Sequence, residues 1–272
     1  MITIIVPCYN ERYLIERKID NLICQYPVDK MEILIIDGGS TDGSFDLAKE
    51  RSSWLNFKNN QKVISVYKSE KGKTKQLNYG LSMARGEIVF VTDVDAVMEK
   101  DCIHQMMRFF PDKIIGVVGA CSVPYKAKFL DPICWRISNF IRLAQSDLCT
   151  SPWVIATCYA FRKELVSKFP DDVVADDAYI ALCANFKGYH SVYTDRTVVK
   201  EVRNPSSWIQ FFTHKHRKAN ALLREFTRFS YMLPYADPVW KTLFLMWFAF
   251  LIIVVGWSYP FYKQDSNFRR VK

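Results

Sequence analysis

The sequence predicts an α/β fold, in which helices flank both faces of a mostly parallel central sheet. Over the first hundred residues, apolar runs of strand length alternate with segments of helical spacing in the order β-α-β-α-β-α-β. That order implies right-handed crossovers between parallel strands. Half of the 272 residues are hydrophobic, which is enough for a sizeable core. The mean hydropathy of −0.05 excludes a polytopic membrane protein.

Four short apolar runs in the first part of the chain predict strands, and helical spacing of apolar residues predicts the helices between them. The predicted strands cover residues 3–6, 32–36, 62–67 and 87–92. The predicted helices cover residues 11–24, 42–51 and 74–85. Ligands of such sheets bind beyond the carboxyl ends of the strands, so the residues that follow each strand are the first candidates for a site.

The rest of the chain is predicted to hold further elements of both kinds, followed by a basic and then a hydrophobic segment. Helices are expected over 99–110, 132–148 and 176–186, and strands over 114–123, 154–161 and, as a pair of short strands, 189–201. A basic helix is predicted over 205–229, and residues 242–262 form a run of 21 without a charge. We therefore divide the chain into a main α/β domain (1–204), a basic amphipathic segment (205–241), a hydrophobic helix (242–262) and a basic tail (263–272).

The formal net charge of +9 is concentrated at the C-terminal end of the chain. Residues 1–199 carry 25 basic and 24 acidic side chains, a net of +1, whereas residues 200–272 carry 12 basic and 4 acidic side chains, a net of +8. A basic segment beside a long uncharged run is typical of a membrane-facing end. We therefore expect a membrane partner and no nucleic acid partner.

Eight cysteines are scattered along the chain without a C-x-x-C pair or a Cys/His cluster at zinc spacing. Cys8, Cys121 and Cys158 lie in apolar stretches, where a free thiol packs as a small hydrophobic group. We therefore predict reduced thiols. The first residues have the pattern of a strand rather than of a signal peptide, and we expect a cytoplasmic location.

Acidic residues follow three of the predicted strands: Glu11, then Asp37 and Asp42, then Asp93 and Asp95. The carboxyl ends of parallel strands meet at one edge of a sheet, so these carboxylates should line one rim. Packing alone does not explain them, because a buried and unpaired carboxylate is costly.

Asp93-Val94-Asp95 ends a hydrophobic strand. Two carboxylates two residues apart at a bend can hold one divalent cation and leave positions open for phosphate oxygens, an arrangement that suits Mg²⁺ or Mn²⁺. An isolated D-x-D pattern is more often a solvated loop. Its place after a buried strand favours a metal site here.

Asp37 follows an apolar strand and precedes Gly38-Gly39-Ser40-Thr41-Asp42. One interpretation is a turn with a helix N-cap, since Ser, Thr and Asp cap helices well, and we assign capping to Thr41 and Asp42. Asp37 lies earlier, where its carboxylate could accept from a base N–H or a ribose hydroxyl. Neither G-x-G-x-x-G nor G-x-x-x-x-G-K-[ST] occurs, which argues against dinucleotide-binding and P-loop chemistry.

Four segments together resemble family 2 glycosyltransferases. They are Ile5-Val6-Pro7-Cys8-Tyr9-Asn10-Glu11, Ile36-Asp37-Gly38-Gly39-Ser40-Thr41-Asp42-Gly43-Ser44, Asn78-Tyr79-Gly80 with Ala84-Arg85-Gly86-Glu87, and Asp93-Val94-Asp95. They occur in the family's order and at its spacing, and they are specific together although none is so alone. The resemblance implies the GT-A fold, a nucleotide-sugar donor, a divalent metal (Mn²⁺ or Mg²⁺) and inverting transfer of a sugar.

The resemblance also assigns residues to the nucleotide. Pro7, Tyr9 and Glu11 match the segment that borders it, with Glu11 near the ribose. Asp37 matches the acidic residue that reads the nucleobase and the ribose. Gly38 stands where the family often has a second Asp, so one usual carboxylate is missing.

Three further residues match the diphosphate part of the family's site. Lys73 falls where a basic residue approaches the base or the diphosphate. Asp93 and Asp95 match the metal and diphosphate motif, with Asp95 as the more direct ligand.

Asp176-Asp177 resembles the family's Glu-Asp pair at the start of a helix, which makes Asp177 the base that deprotonates the acceptor hydroxyl. Two neighbouring carboxylates raise each other's proton affinity, and that suits a base. Helix capping by Asp176 is the alternative, and it is compatible with catalysis by Asp177.

His214-Lys215-His216-Arg217-Lys218 lies where processive members carry Gln-x-x-Arg-Trp, and only Arg217 matches. This departure argues against processive polymerisation. Arg217 has two interpretations that we hold open. It contacts the donor diphosphate, or it belongs to a basic helix face against anionic lipid, where each basic residue contributes about 1 kcal/mol.

The uncharged run over 242–262 spans roughly 31 Å as a helix, about the hydrocarbon thickness of a bilayer. A buried core helix is the alternative, but the length and the aromatic residues Trp257, Tyr259, Phe261 and Tyr262 favour a membrane span with an interfacial belt. A single span would place the basic tail opposite a cytoplasmic domain, against the positive-inside rule. A helix that re-enters or lies in the interface is therefore also open.

We expect a metal-dependent inverting glycosyltransferase at the cytoplasmic face of the cell membrane, with a UDP-linked donor and a lipid-linked or polysaccharide acceptor. A sugar nucleotidyltransferase is one alternative, but it would carry a Gly-rich, Arg-containing phosphate loop after the first strand. A non-catalytic nucleotide-binding member that anchors a membrane assembly is the other. Intact Asp93, Asp95 and Asp177 argue against it.

Overall fold

The computed structural model describes residues 1–126, 131–155, 157–205, 207–236 and 238–264. Its strands are Ile2–Cys8 (β1), Met31–Asp37 (β2), Ile64–Lys68 (β3), Ile88–Thr92 (β4), Ala96–Met98 (β5), Ile115–Pro124 (β6), Cys158–Arg162 (β7) and His190–Glu201 (β8). Its helices are Ile15–Ile23 (α1), Ser44–Lys58 (α2), Lys73–Met83 (α3), Cys102–Met107 (α4), Asp131–Leu148 (α5), Asp176–Phe186 (α6), Trp208–Phe229 (α7) and Pro238–Gln264 (α8). Most of the predicted basic tail, residues 265–272, lies outside the described residues.

These strands form one curled sheet in the order β3-β2-β1-β4-β7-β6-β8-β5. The first four are parallel, as the sequence predicts. In the other half β6 and β8 are parallel, whereas β7 runs antiparallel to both β4 and β6, and β5 runs antiparallel to β8. The predicted α/β architecture is confirmed, with a mixed sheet in its second half because an apolar run does not encode the direction of its strand.

The sheet is buried on both faces, which explains the near-continuous apolar runs of its central strands. Ile4 and Val6 of β1 face one core, where Ile19 of α1 packs. Ile5 of the same strand faces the opposite core, where Leu77 of α3 packs. Alternation along each strand therefore fills two helix-covered layers.

A third core joins α6, α7 and α8. Phe226 of α7 packs against Phe244 of α8 with 4.6 Å between ring centroids, and nearer the other end His216 Nδ1 lies 2.9 Å from Ser258 Oγ. The two helices therefore lie side by side and antiparallel. Pro238–Tyr259 is long and apolar enough to cross a membrane, although such a helix alone is weak evidence for a span.

The remaining differences from the sequence-based expectation are local. β5 was not expected, and β8 is one long strand with a register shift opposite Ala120 and Cys121 rather than two short strands. All eight cysteines are free thiols, and Cys8, Cys121 and Cys158 are buried as expected.

Candidate active site

Parallel neighbours β1, β2 and β4 end at one edge of the sheet, and this edge gathers the acidic residues that follow them. Burial raises the pKa of Glu11, and the negative charges of Asp95 and Asp93 raise it further. The carboxylate of Asp37 is almost fully buried, at 1% exposed, where β2 ends. The acidic rim is therefore formed where the strand order predicts it.

The Asp37 carboxylate organises the loop that follows it. Its Oδ1 accepts hydrogen bonds from the N–H groups of Gly39 (3.0 Å) and Ser40 (2.9 Å), and its Oδ2 accepts from the Ser40 hydroxyl. Asp42, rather than Thr41, accepts from the first N–H of α2, that of Ser44, at 3.0 Å. Asp37 therefore shapes this loop in addition to the nucleotide contact that the resemblance implies.

Gly38 is the position at which the family's second Asp is missing. A Cβ at Gly38 would lie 3.0 Å from Cδ and Nε2 of Gln76, a buried residue of α3. The Gln76 amide donates to the carbonyl groups of Cys8 (2.6 Å) and Ile36 (2.7 Å), so it ties the ends of β1 and β2 together. A larger residue at position 38 would displace that tie, which explains the glycine.

Lys73, the first residue of α3, links the two acidic motifs. Its Nζ lies 3.1 Å from Asp93 Oδ1 and 3.1 Å from Asp176 Oδ1. Burial alone would lower the pKa of Lys73, but Asp176, Asp93 and Asp177 together raise it. The ammonium therefore stays charged and holds the Asp93-Val94-Asp95 turn against the start of α6.

Asp176 and Asp177 have different surroundings. Asp176 is buried and accepts a 2.6 Å hydrogen bond from the Tyr159 hydroxyl in addition to its contact with Lys73. Asp177 is partly exposed, and burial together with the charge of Asp176 raises its pKa to about 6, while Lys73 opposes the shift. Asp176 is thus held in place by Tyr159 and Lys73, and Asp177 is the carboxylate that can exchange a proton near neutral pH.

Asp93 and Asp95 differ in the same way. Asp93 is held by Lys73, whereas the Asp95 carboxylate forms no hydrogen bond or ion pair with another described residue. Burial and Asp93 raise the pKa of Asp95, and the charges of Arg203 and Lys18 lower it. Asp95 is therefore the more available oxygen ligand of the two.

Glu11 forms an ion pair with Arg203, which follows β8 in the chain. Their side chains are 12% and 29% exposed, so the pair closes one side of the rim while Arg203 still reaches solvent. The Glu11 carboxylate raises the pKa of Arg203, against the effect of burial. Arg203 brings a fixed positive charge to within electrostatic range of Asp93 and Asp95.

The basic motif of α7 reaches the site through Lys218. Arg217 is exposed, whereas Lys218 Nζ lies 3.8 Å from Glu201 Oε1 and 5.3 Å from the centroid of the Trp135 ring. The charge of Lys218 lowers the pKa of both Asp95 and Asp177. The face of α7 that carries Lys218 is therefore turned toward the carboxylates.

Two other residues that were expected to border the nucleotide lie near the end of β1. Pro7 is paired with Ile36, two residues beyond the last pairing of β1 with β4. The Tyr9 ring has Lys71 Nζ 4.5 Å from its centroid. An aromatic ring and a nearby cation at this edge are suited to binding a nucleotide, through its base or its phosphates.

Arg142 of α5 lies within electrostatic range of Asp177. Its guanidinium lies 5.3 Å from the Trp153 ring and 5.5 Å from the Tyr193 ring, and burial lowers its pKa while Asp177 opposes that shift. Nε and Nη1 of Arg142 are buried without a hydrogen-bond partner among the described residues. This cation is therefore held by ring faces rather than by a carboxylate.

Sequence reasoning did not assign five residues to this site: Lys18, Arg142, Tyr159, Arg203 and Lys218. The signal for Lys18 was present, because it interrupts the apolar stripe of α1 between Ile15 and Ile19. Tyr159 has the pattern of an ordinary core strand residue. Arg203 lies far from any motif, and its partner Glu11 is 192 positions away in the chain.

Comparison with known proteins agrees with this architecture. The model of the family described as Glycosyl transferase family 2 matches residues 3–169, and that of Glycosyl transferase family group 2 matches residues 88–263. The structure of mannosyltransferase PcManGT from Pyrobaculum calidifontis, in complex with GDP-Man and Mn²⁺, is 29% identical with a TM-score of 0.78. The structural match covers 97% of this chain and 73% of the PcManGT chain.

Two curated relatives are more distant. The probable glycosyltransferase YdaM of Bacillus subtilis (strain 168) is 24% identical over 80% of this chain and 54% of its own length. The poly-beta-1,6-N-acetyl-D-glucosamine synthase of Staphylococcus aureus (strain COL) is 23% identical over 94% of this chain and 64% of its own length. The chain thus spans less than two thirds of either relative. The family match over residues 3–169, more than half of the chain, shows that this chain belongs to glycosyl transferase family 2.

Proposed function

We propose that this chain is the catalytic part of a metal-dependent inverting glycosyltransferase that moves a sugar from a nucleoside-diphosphate sugar to an acceptor hydroxyl. One observation carries the proposal. Lys73 contacts both Asp93 and Asp176, so the turn proposed to bind the donor diphosphate adjoins the carboxylate pair proposed to activate the acceptor. A single displacement needs these two functions on opposite sides of one anomeric carbon.

The acceptor side depends on Asp177. Its pKa of about 6 leaves it ionised at neutral pH yet basic enough to take a proton from a hydroxyl. Asp176, held by Lys73 and Tyr159, fixes the start of α6 and hence the direction of its neighbour. In the proposed reaction Asp177 takes the acceptor proton as the acceptor oxygen attacks the anomeric carbon and the bond to the diphosphate breaks.

The donor side depends on Asp93 and Asp95. No group of three or more His, Cys, Asp or Glu side chains that could hold a metal ion occurs in the described part of the chain. Two carboxylates alone fit an ion such as Mn²⁺ or Mg²⁺ that takes its other ligands from water and substrate phosphate. Such an ion, when bound, offsets the charge that develops on the leaving diphosphate. Lys73 and Arg203 add fixed positive charge at the same rim.

The nucleotide is proposed to lie against Tyr9, Glu11 and Asp37 at the ends of β1 and β2. The motif resemblance favours a UDP-linked donor. PcManGT, which is 29% identical, was solved with GDP-Man, so GDP is the competing nucleotide that the experiment must include.

The acceptor is proposed to be a lipid-linked or polysaccharide glycan, at the cytoplasmic face of a membrane. One relative is named as a polysaccharide synthase, and α8 offers a long apolar surface beside the basic helix α7. Basic residues near an apolar helix favour contact with anionic lipid.

A thermal-shift screen of UDP- and GDP-sugars with Mn²⁺, Mg²⁺ or EDTA tests the donor and the metal together. We expect stabilisation by one nucleotide series only when the ion is present, and its loss in Asp95→Asn. Asp177→Asn should bind the same donor and fail to transfer or hydrolyse it. Binding that is identical in EDTA, or turnover by Asp177→Asn, would overturn the proposal.

The two alternative functions give different outcomes in the same assays. A nucleotidyltransferase would form a nucleotide sugar from a nucleoside triphosphate, but the segment after β1 holds Glu11 in an ion pair with Arg203 rather than a Gly-rich phosphate loop. A non-catalytic member would bind the donor without ever releasing the nucleoside diphosphate. If the unaltered protein hydrolyses the nucleotide sugar even slowly, that second alternative is excluded.

A further inference from the structure

Helix α1 carries a buried polar face that points at the segment from Thr92 to Cys102. Lys18, Asn21 and Gln25 follow one another at helical spacing on this face or just after it, and each makes direct hydrogen bonds to that segment. Lys18 is 2% exposed and Gln25 is 3% exposed. Buried polar side chains are tolerated when their hydrogen-bonding groups have partners. The partners of this face lie in the segment from Thr92 to Cys102, so the face holds that segment in place.

Lys18 holds both flanks of the Asp93-Val94-Asp95 turn. Its Nζ donates to Thr92 Oγ1 at 2.7 Å, immediately before the turn, and to the Ala96 carbonyl at 2.6 Å, immediately after it. The Ala96 N–H in turn donates to the Asp93 carbonyl. The Lys18 ammonium thus fixes both ends of the turn, Thr92 and Ala96, between which the carboxylates of Asp93 and Asp95 lie.

The other two side chains hold the chain beyond the turn. Asn21 bonds both the N–H and the carbonyl of Met98, in β5, at 2.9 Å each. Gln25 accepts from the Cys102 N–H at 2.9 Å and donates to the Glu99 carbonyl at 3.0 Å. Asn21 and Gln25 therefore bond residues that lie farther along the chain from Asp93 and Asp95 than the partners of Lys18 do.

The choice of a lysine here is not explained by packing. A buried ammonium is costly, and Lys18 has no direct carboxylate partner among the described residues. Its hydrogen-bond acceptors are one hydroxyl and one backbone carbonyl. A methionine would fill the same space without that cost, so the position retains a group that can donate several bonds at once.

We propose that Lys18 is a positioning residue for metal binding, which sets the spacing and direction of Asp93 and Asp95 by bonding Thr92 and Ala96. This inference rests on the proposed function, in which those two carboxylates hold the metal ion. Residues that orient metal ligands through hydrogen bonds typically change metal affinity by 10- to 100-fold when they are replaced.

Geometry and charge predict opposite results when Lys18 is replaced by methionine. If its charge alone mattered, removing a cation beside Asp93 and Asp95 would strengthen binding of Mn²⁺. If positioning matters, the turn loses both of its fixed ends and binding of Mn²⁺ weakens. We expect a loss of about tenfold in Mn²⁺ affinity for Lys18→Met, the lower end of the range for such residues.

The test is a titration with Mn²⁺ followed by electron paramagnetic resonance of the free ion, in the presence of UDP and separately of GDP. Gln25→Met is the matched control, because it removes two hydrogen bonds from the same helix at Glu99 and Cys102. Lys18→Met should lose Mn²⁺ affinity, and Gln25→Met should retain it with a comparable fall in melting temperature. Equal affinity loss in both variants would reduce the role of Lys18 to general stability and overturn the proposal.

A second pair of variants tests the same bond from its other end, in case Lys18→Met does not fold. Thr92→Val removes the hydroxyl that accepts from Lys18 and also donates to the Thr157 carbonyl at 2.8 Å. Thr92→Ser keeps the hydroxyl and loses only a methyl group. We expect weaker Mn²⁺ binding in Thr92→Val than in Thr92→Ser, and equal binding by the two variants contradicts the proposal.

Asp95→Asn separates failure of this inference from failure of the proposed function. If Asp95→Asn loses Mn²⁺ and Lys18→Met does not, the metal site stands and the role of Lys18 is wrong. If Asp95→Asn binds Mn²⁺ as tightly as the unaltered protein, the metal assignment itself is wrong, and with it the inference that depends on it.

Discussion

Lys73 and Asp176 form an ion pair, with 3.1 Å between Nζ and Oδ1, that joins the first residue of α3 to the first residue of α6. A cation at a helix N-terminus is unfavourable with respect to the helix dipole, whereas a carboxylate there is favourable. Lys73 is compensated by Asp176 and by Asp93, which lies equally close. The arrangement therefore couples the positions of two helices to the turn that carries the proposed metal ligands.

Lys73→Met should reduce transfer more than it reduces stability. Without the ammonium, Asp93 and Asp176 repel each other and the two halves of the site move apart, and a displacement of about 1 Å at such a site can cost about 100-fold in rate. We expect kcat for nucleotide release to fall by about that factor, with Lys73→Arg partly active. A Lys73→Met enzyme within twofold of the unaltered rate would show that the pair is dispensable.

Activity should rise with pH through the titration of Asp177. A base must be unprotonated, and burial with the neighbouring Asp176 raises the pKa of Asp177 to about 6. We expect kcat/KM to fall below that pH. In Asp176→Asn the acidic limb should move to lower pH, because one of the causes of the raised pKa is gone. A profile that is unchanged by Asp176→Asn contradicts the assignment of the limb to Asp177.

Asp177→Asn should stabilise the fold at neutral pH while abolishing transfer. The pKa of Asp177 is raised from 3.8 to about 6 on folding, so the folded state binds more protons than the unfolded state between those values. The contribution of Asp177 to the free energy of unfolding is therefore fully present below pH 3.8 and is lost as the pH rises through about 6. We expect a gain of about 1 kcal/mol in the free energy of unfolding at neutral pH, discounted for partial exposure.

Urea unfolding of Asp177→Asn and the unaltered protein at two pH values measures this gain. The difference between the two proteins should shrink toward zero near pH 4, where the native carboxyl group is protonated. A gain that is the same at both pH values would indicate a cause other than ionisation.

Glu11 and Arg203 should prove energetically coupled. Both are partly buried, so removing either one leaves an uncompensated charge at the rim, while removing both does not. A double-mutant cycle with Glu11→Gln and Arg203→Met should give a coupling energy of about 1–2 kcal/mol in urea unfolding. Strictly additive effects would mean that the contact does not contribute to stability.

The sequence predicted the acidic rim because it depends only on strand order and on the residues just after each strand. β1, β2 and β4 are long apolar runs with helices between them, and those features are local. The three-residue strand β5 was missed because Ala96–Met98 is too short for an alternating pattern, and it is held by side chains of α1. Its existence is a tertiary effect.

Residues that complete the site from a distance could not be predicted from motifs. Tyr159 has the surroundings of a core residue, and only the antiparallel entry of β7 places its hydroxyl at Asp176. Arg203 meets Glu11 because β8, which ends just before Arg203, pairs with β5, and β5 is hydrogen-bonded to α1, the helix that follows Glu11. Lys18 was detectable in principle, as a charge within an apolar stripe, but its partners were not.

The exposed face of α8 offers the final prediction, which concerns the membrane. One stripe of this helix packs on α6 and α7, and apolar side chains still cover its other side. Over residues 238–259 of α8, where the structure describes the side chains, the large exposed apolar residues are Val239, Leu245, Met246, Phe250, Ile252, Ile253, Trp257 and Tyr259. Exposure of so large an apolar surface to water is unfavourable, so we expect this face of α8 to insert into lipid.

Met246→Lys with Ile253→Lys should release the protein from vesicles without unfolding it. The two side chains are 65% and 68% exposed, so the substitutions disturb no packing but place two charges in the proposed lipid-facing surface. Flotation with vesicles that contain anionic lipid measures binding, and circular dichroism measures the fold. Phe244→Lys is the contrasting variant: its side chain is fully buried against Phe226 and Trp240, so it should unfold this region instead. Flotation of the double variant to the same extent as the unaltered protein would rule out this face as the membrane contact.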